Sequence, residues 1–184
     1  MPETKHITGA RQYATSADFH QIFSDEMEGL YLLSLLLTAD REKAEQCFVS
    51  GVEDSVNGNP VFKEWARSWA RRVIIQNAIR VINPWRTERN AASISDNGGK
   101  KLAAEQAEIA AVLALEPFER FVYVMSVLER YSDHDCSLLL GCMRRDVMAA
   151  RIRVLQQVGS VMRFPLKQHL NVGSEKSELQ LTPH

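Results

Sequence analysis

The stretch Tyr131–Arg151, YSDHDCSLLLGCMRRDVMAAR, decides how this chain is read. Asp133, His134, Asp135, Cys136 and Cys142 fall within ten positions, and all are residue types that ligate metals. A closed zinc site, however, draws on four ligands, usually arranged in close pairs with loop geometry between them. Here the two cysteines are six residues apart with the apolar SLLLG between them. The three adjacent polar residues would diverge by about 100° each on a helix instead of converging. The metal reading therefore leaves most of the stretch unexplained.

A helical reading accounts for more of it. Ser132 is placed to cap a helix, with Asp135 three positions on as the acidic partner in a variant of the capping box. Leu138, Leu139 and Leu140 then supply buried surface, and Gly141 suits the left-handed backbone that ends a helix. A second helix starts at Arg144, with Val147, Ala150, Val154 and Leu155 as its inner stripe. Arg144, Arg145, Arg151 and Arg153 remain outside or along its edges. A short helix, a glycine turn and a longer basic helix are the parts of a helix-turn-helix whose second helix enters the DNA major groove. Arginine suits that work because its planar fork grips a phosphate or a guanine edge with two bonds.

The composition of the whole chain is consistent with a folded protein. Its 184 residues are 45% hydrophobic and 24% charged, too apolar and balanced for a disordered chain. The formal net charge of -1 conceals segregation along the sequence. From Asp18 to Asp54 nine acids face two bases, a net -7; from Val61 to Arg89 seven bases face two acids, a net +5; from Gly141 to Arg163 the balance is +4. Three cysteines and an N-terminal MPETKHITGARQY without an apolar run point to a reducing cytoplasm. The longest apolar stretch, within GLYLLSLLLTAD, is far below the roughly 18 to 20 residues that span a bilayer.

Periodicity of three to four residues dominates and strict alternation is absent, so the expected fold class is all-α. A first helix is expected from about Ala17 through LYLLSLLL, and a second from Asp40 as N-cap, with Glu42 in its first turn. Asn57, Gly58, Asn59 and Pro60 make a turn, after which VFKEWARSWARRVIIQNAIRVI forms a third helix ending before Pro84. Phe62, Trp65, Trp69 and Val73 share one face of it, so both tryptophans are expected to be core anchors, with Arg67, Arg71 and Arg72 opposite. PWRTERNAASISDNGGKK lacks periodicity and divides the chain. The expected organisation is thus a helical domain over 17–84, a linker over 85–101, a helix-turn-helix domain over 102–163 with Pro117 opening one of its helices, and an unpatterned tail over 164–184 read as disordered.

Taken together, the two halves resemble a bacterial RNA polymerase sigma factor of the small extracytoplasmic-function type, over about Ala17 to Gln157. LYLLSLLLTADREKAEQ looks like the opening of the family's second region. FKEWARSWARR is similar to its F-x-x-W-L-x-x-I-A-x-N segment, with Phe62, Trp65, Trp69, Ala70 and Arg71 in matching places. LEPFERFVYVMSVLERYSDHDCSLLLGCM is similar to the fourth-region pattern, with Leu115, Pro117, Arg120, Leu128, Glu129, Ser132, Asp135, Leu140 and Gly141 matching or nearly so. The departures are Val49, Ser50, Gly51 and Val52 in place of a polar pair and an aromatic, Met143 in place of Ser, and Met148, Ala149 and Ala150 where Lys, Ser and Arg are common.

The resemblance implies a transcription initiation factor that binds core RNA polymerase and promoter DNA, with an anti-sigma protein as a further partner. It implies that Arg67, Arg71 and Arg72 face promoter DNA, that Arg144, Arg145, Arg151 and Arg153 line the recognition helix, and that Glu42, Glu45 and Gln46 begin the polymerase-contacting helix. No metal or cofactor is implied, and with scattered histidines and no nucleophile–base spacing no enzymatic activity is expected. Two other readings remain: a DNA-binding regulator that does not engage polymerase, and a protein-interaction module on a degenerate sigma-like fold.

Overall fold

The computed structural model describes residues 12–85 and 105–163, and the fold is all-α. The helices are α1 (Ser16–Asp25), α2 (Met27–Thr38), α3 (Arg41–Asn57), α4 (Ala66–Ile82), α5 (Glu105–Leu113), α6 (Pro117–Tyr123), α7 (Asp133–Leu140) and α8 (Arg144–Arg163). A short 3-10 turn, Lys63–Trp65, leads into α4, and α6 runs into a wider π turn, Val124–Leu128. Among the described residues the sole β pairing is an isolated bridge between Tyr13 and Phe62. Most of the expected linker and the whole expected tail lie outside the described residues.

Local signals set the helix ends. Asp40 caps α3 by accepting from the Lys43 amide at 3.0 Å, as its position before the helix suggests. Thr15 and Asp18 form a reciprocal capping box that starts α1. Asp18 also pairs with Lys63 at 2.6 Å, and that bond, with the Thr15 amide, pulls its carboxyl down to about 2. The single helix expected from Ala17 through the leucines is two helices, broken at Glu26, whose backbone leaves the helical geometry. The break frees the Glu26 carboxylate to turn toward α4, where it meets Arg67 at 2.7 Å.

The first bundle packs α1 to α4. Leu30, Leu33 and Leu37 of α2 meet Ala44 and Cys47 of α3 and Ala70, Ile74 and Ala78 of α4 in the interior. Removing each such leucine or isoleucine from water contributes about 2 kcal/mol. Gly51 permits the close approach of α3 to α4: a Cβ there would lie 3.0 Å from Ile74 Cγ1. The expected tryptophan anchors are corrected by this packing. Trp65 is 53% exposed and Trp69 only partly buried, because α4 starts after the 3-10 turn and turns its small residues Ala66 and Ala70 toward the core.

The second bundle packs α5 to α8, with Val112, Phe121, Val122, Met125, Cys136, Leu140, Val147, Ala150, Val154 and Val158 inside. The two bundles share one hydrophobic core. Arg120, 5% exposed on α6, donates to Leu37 O and Thr38 O at the end of α2 and to Leu115 O, at 3.0 to 3.4 Å. Burial lowers its guanidinium to about 10, so it stays charged at neutral pH beside the negative end of α2. Trp85, just past α4, donates to Leu140 O at 2.6 Å and lies against Phe118 with ring centroids 4.2 Å apart.

Replacing Arg120 with Met should lower stability by about 3 kcal/mol or more, since three buried carbonyls lose their donor at once. Urea unfolding followed by circular dichroism measures this, and a loss below about 0.5 kcal/mol would refute the role assigned to Arg120. Asp18 gives a pH test. Its carboxyl is depressed in the folded state, so its contribution is complete above about pH 4 and fades as pH falls through 2. The melting temperatures of wild type and Asp18→Asn should therefore differ near neutrality and converge in strong acid.

Candidate nucleic-acid and protein interface

Helix α7 starts at Ser132, whose hydroxyl accepts from the Asp135 amide at 3.1 Å and donates to the Asp135 carboxylate at 2.6 Å. It ends at Gly141, which takes φ +68°, and α8 leaves after Met143. The metal-like residues are dispersed by this geometry. Asp133 pairs with Arg151 at 3.1 Å, Asp135 serves the cap, Cys136 is fully buried with its thiol pushed up to about 12 by that burial, and His134 points to solvent.

Two details of packing depart from the expected arrangement. Leu138 is 66% exposed instead of buried, because on α7 the core face is set by Cys136, Ser137 and Leu140. Leu155 is likewise exposed, and Val158 takes the expected place at the end of the inner stripe of α8.

The seven candidate arginines fall into two groups. On α4, Arg67 pairs with Glu26, and Arg71 makes a two-bond pair with Glu129 just past the π turn, one bond at 2.7 Å. The Glu129 pair holds the Arg71 guanidinium above its usual range. Arg72 lies beside the Tyr131 hydroxyl, whose pKa is raised chiefly by burial. On α8, Arg151 is held by Asp133, and Arg153 by Glu119 at 2.7 Å. Arg145 has its neighbour Asp146 at 3.7 Å, and Arg144 has no partner among the described residues. Arg144 and Arg145, at the start of α8, are thus exposed and not held by a firm internal pair, and there helix dipole and guanidinium both attract an anion.

The charge blocks of the sequence pair with each other at the surface of the molecule. Lys63 pairs with Asp18, Arg67 with Glu26, and Arg80 with Asp54 at 2.6 Å, so the acidic first block faces the basic second one. Glu42, Glu45 and Gln46 are a different case: all three are exposed on one side of α3, away from buried Ala44 and Cys47, and carry no internal ion pair among the described residues. The sequence reading gave no role to Glu129, Tyr131 or Trp85. The signal was present in Glu129, a lone acid closing the apolar FVYVMSVL run opposite a basic helix.

No protein-family model matches the chain, and no curated protein matches it. Among solved structures the chain is similar to the sigma factor RpoE from Bartonella quintana, determined as a co-crystal with the anti-sigma factor NepR. The two are 16% identical with a TM-score of 0.46, and the match covers 79% of this chain and 97% of that one. Among the described residues no helix is long and apolar enough to cross a membrane.

Glu129→Gln should cost about 1 to 3 kcal/mol, because it leaves half-buried Arg71 with only the more distant Glu26 carboxylate, 3.9 Å away. In a double-mutant cycle with Arg71→Ala the two losses should be strongly non-additive. Simple additivity in urea unfolding would remove the ion pair as a link between the bundles.

Proposed function

We propose that the chain is a sigma-like transcription initiation factor of the extracytoplasmic-function type, acting in the cytoplasm by binding rather than by covalent chemistry. The observation that carries the reading is the start of α8: after a capped helix and a left-handed glycine, Arg144 and Arg145 stand exposed and without a firm internal partner. That is the position from which a recognition helix meets base edges and phosphates. In this reading Glu42, Glu45 and Gln46 on α3 contact core RNA polymerase, promoter DNA lies against α8 and α4, and an anti-sigma protein controls access. Arg67, Arg71, Arg151 and Arg153 reach DNA only by exchanging their internal carboxylates for phosphates.

Arg144→Ala with Arg145→Ala should weaken binding to promoter-length duplex about tenfold or more and lower the salt slope by about two charges, with helix content unchanged. Fluorescence anisotropy across a salt series reads both quantities, and unchanged affinity would sink the assignment of α8. Pulldown with core polymerase, repeated with Glu42→Lys and Glu45→Lys together, tests the α3 face separately: bound wild type and unbound variant are expected.

A further inference from the structure

The outward face of α8 is not the polar surface that base reading alone would require. Met148, Ile152 and Leu155 are 47%, 58% and 46% exposed, and at spacings of four and three residues they form a single stripe about 120° around the helix from the buried Val147, Ala150, Val154 and Val158. Met143, at the mouth of the same helix, is exposed as well. Arg151 lies beside this stripe but is tied down to Asp133, and the exposed Arg144 and Arg145 border only its N-terminal end.

We infer that this stripe pairs with the same stripe of a second copy of this chain, the two α8 helices running antiparallel about a two-fold axis at Ile152. The pattern is close to palindromic. With Ile152 on the axis, Met148 of one helix falls beside Leu155 and Gln156 of the other, so apolar surface meets apolar surface along the contact. The charges select the direction. A parallel pair would set Arg144 and Arg145 beside their own copies. An antiparallel pair holds them about 20 Å apart by helix rise, well beyond the screening length of roughly 8 Å at physiological salt. It also lays each Arg145 along the far part of the other helix, toward its negative carbonyl end.

Gly159 fits the same arrangement. A Cβ at this helical position would meet nothing within 4 Å, so packing among the described residues gives no reason for a residue that is unfavourable inside a helix. In the antiparallel register Arg145 of the other copy passes over Gly159. The contact is small, below the roughly 800 Å² per partner of a stable complex, so the dimer forms and dissociates with concentration. Because its surface is the outward face of α8, dimerisation and DNA contact compete, and the dimer stands whether or not the arginines meet DNA.

Sedimentation equilibrium of the full chain, from about 5 to 500 µM, should give a monomer–dimer equilibrium with a Kd on the order of tens of micromolar. Ile152→Lys should weaken it about tenfold or more, and Met148→Lys should act the same way, while Leu32→Lys, on a different exposed apolar residue, leaves it unchanged. Each substitution is at a surface position, and circular dichroism checks that the helices are retained. In a Cys142→Ser background, Ile152→Cys should form an intermolecular disulfide across the axis. A monomer at every concentration, a dimer indifferent to Ile152→Lys, or open-ended assembly would each overturn the inference. DNA affinity, measured on the same variants, fails or holds independently.

Discussion

The guanidinium of Arg120 sets the arrangement of everything else. Its donors end α2 by taking Leu37 O and Thr38 O, and from the same plane they take Leu115 O between α5 and α6 of the second bundle. A lysine has no planar fork to satisfy three separated carbonyls at once. Because the charge is buried against the end of a helix dipole, moving α6 away from α2 would strand both a cation and the carbonyls it serves. The shared core of Leu37, Phe121 and Met125 can form only where that fork allows it. The two bundles are thereby joined by a specific polar contact embedded in apolar surface.

Electrostatics inside the molecule then decide what is left for partners. Charge segregation along a sequence suggests two faces meant for two different ligands, but the -7 and +5 blocks spend much of that charge on each other through Glu26, Asp54 and Asp18. Among the groups left outward are a carboxylate-bearing face on α3 and a pair of arginines where α8 begins. An arginine already paired with a carboxylate contributes little to long-range attraction, since the pair is nearly neutral beyond a few ångströms. Among Arg144, Arg145, Arg151 and Arg153, steering toward an anionic partner therefore originates at the start of α8 instead of along its length.

Legibility varied with the range of the determining interaction. The caps at Asp40 and Ser132, the turn at Gly141 and the opening proline of α6 were readable because each depends on residues within four positions. The break at Glu26 was not, since nothing in the apolar periodicity on either side of it requires one; the reason lies across space, in Arg67 and Arg71. Trp65 misled for a related reason. Its spacing from Trp69 is helical, but a 3-10 turn precedes α4 and rotates the face. At the candidate site the positions of the arginines followed from the pattern, whereas the pairing of Arg71 with Glu129 depended on how the bundles dock, and that of Arg151 with Asp133 and Arg153 with Glu119 on how α8 packs against α7 and α6.

The π turn at Val124–Leu128 holds one more residue per turn than the helix it continues. It therefore works as a phase shifter. Upstream of it the face toward the core is fixed by Arg120 and Phe121; downstream the chain has been rotated by about one residue, near 100°, before it reaches Glu129. A regular helix of the same sequence could satisfy Arg120 or deliver Glu129 to Arg71, but not both, and Arg130 follows in a left-handed conformation that closes the excursion. An evolutionary lineage could lose this chain's inter-bundle ion pair without changing either partner, by deleting a single residue from the turn.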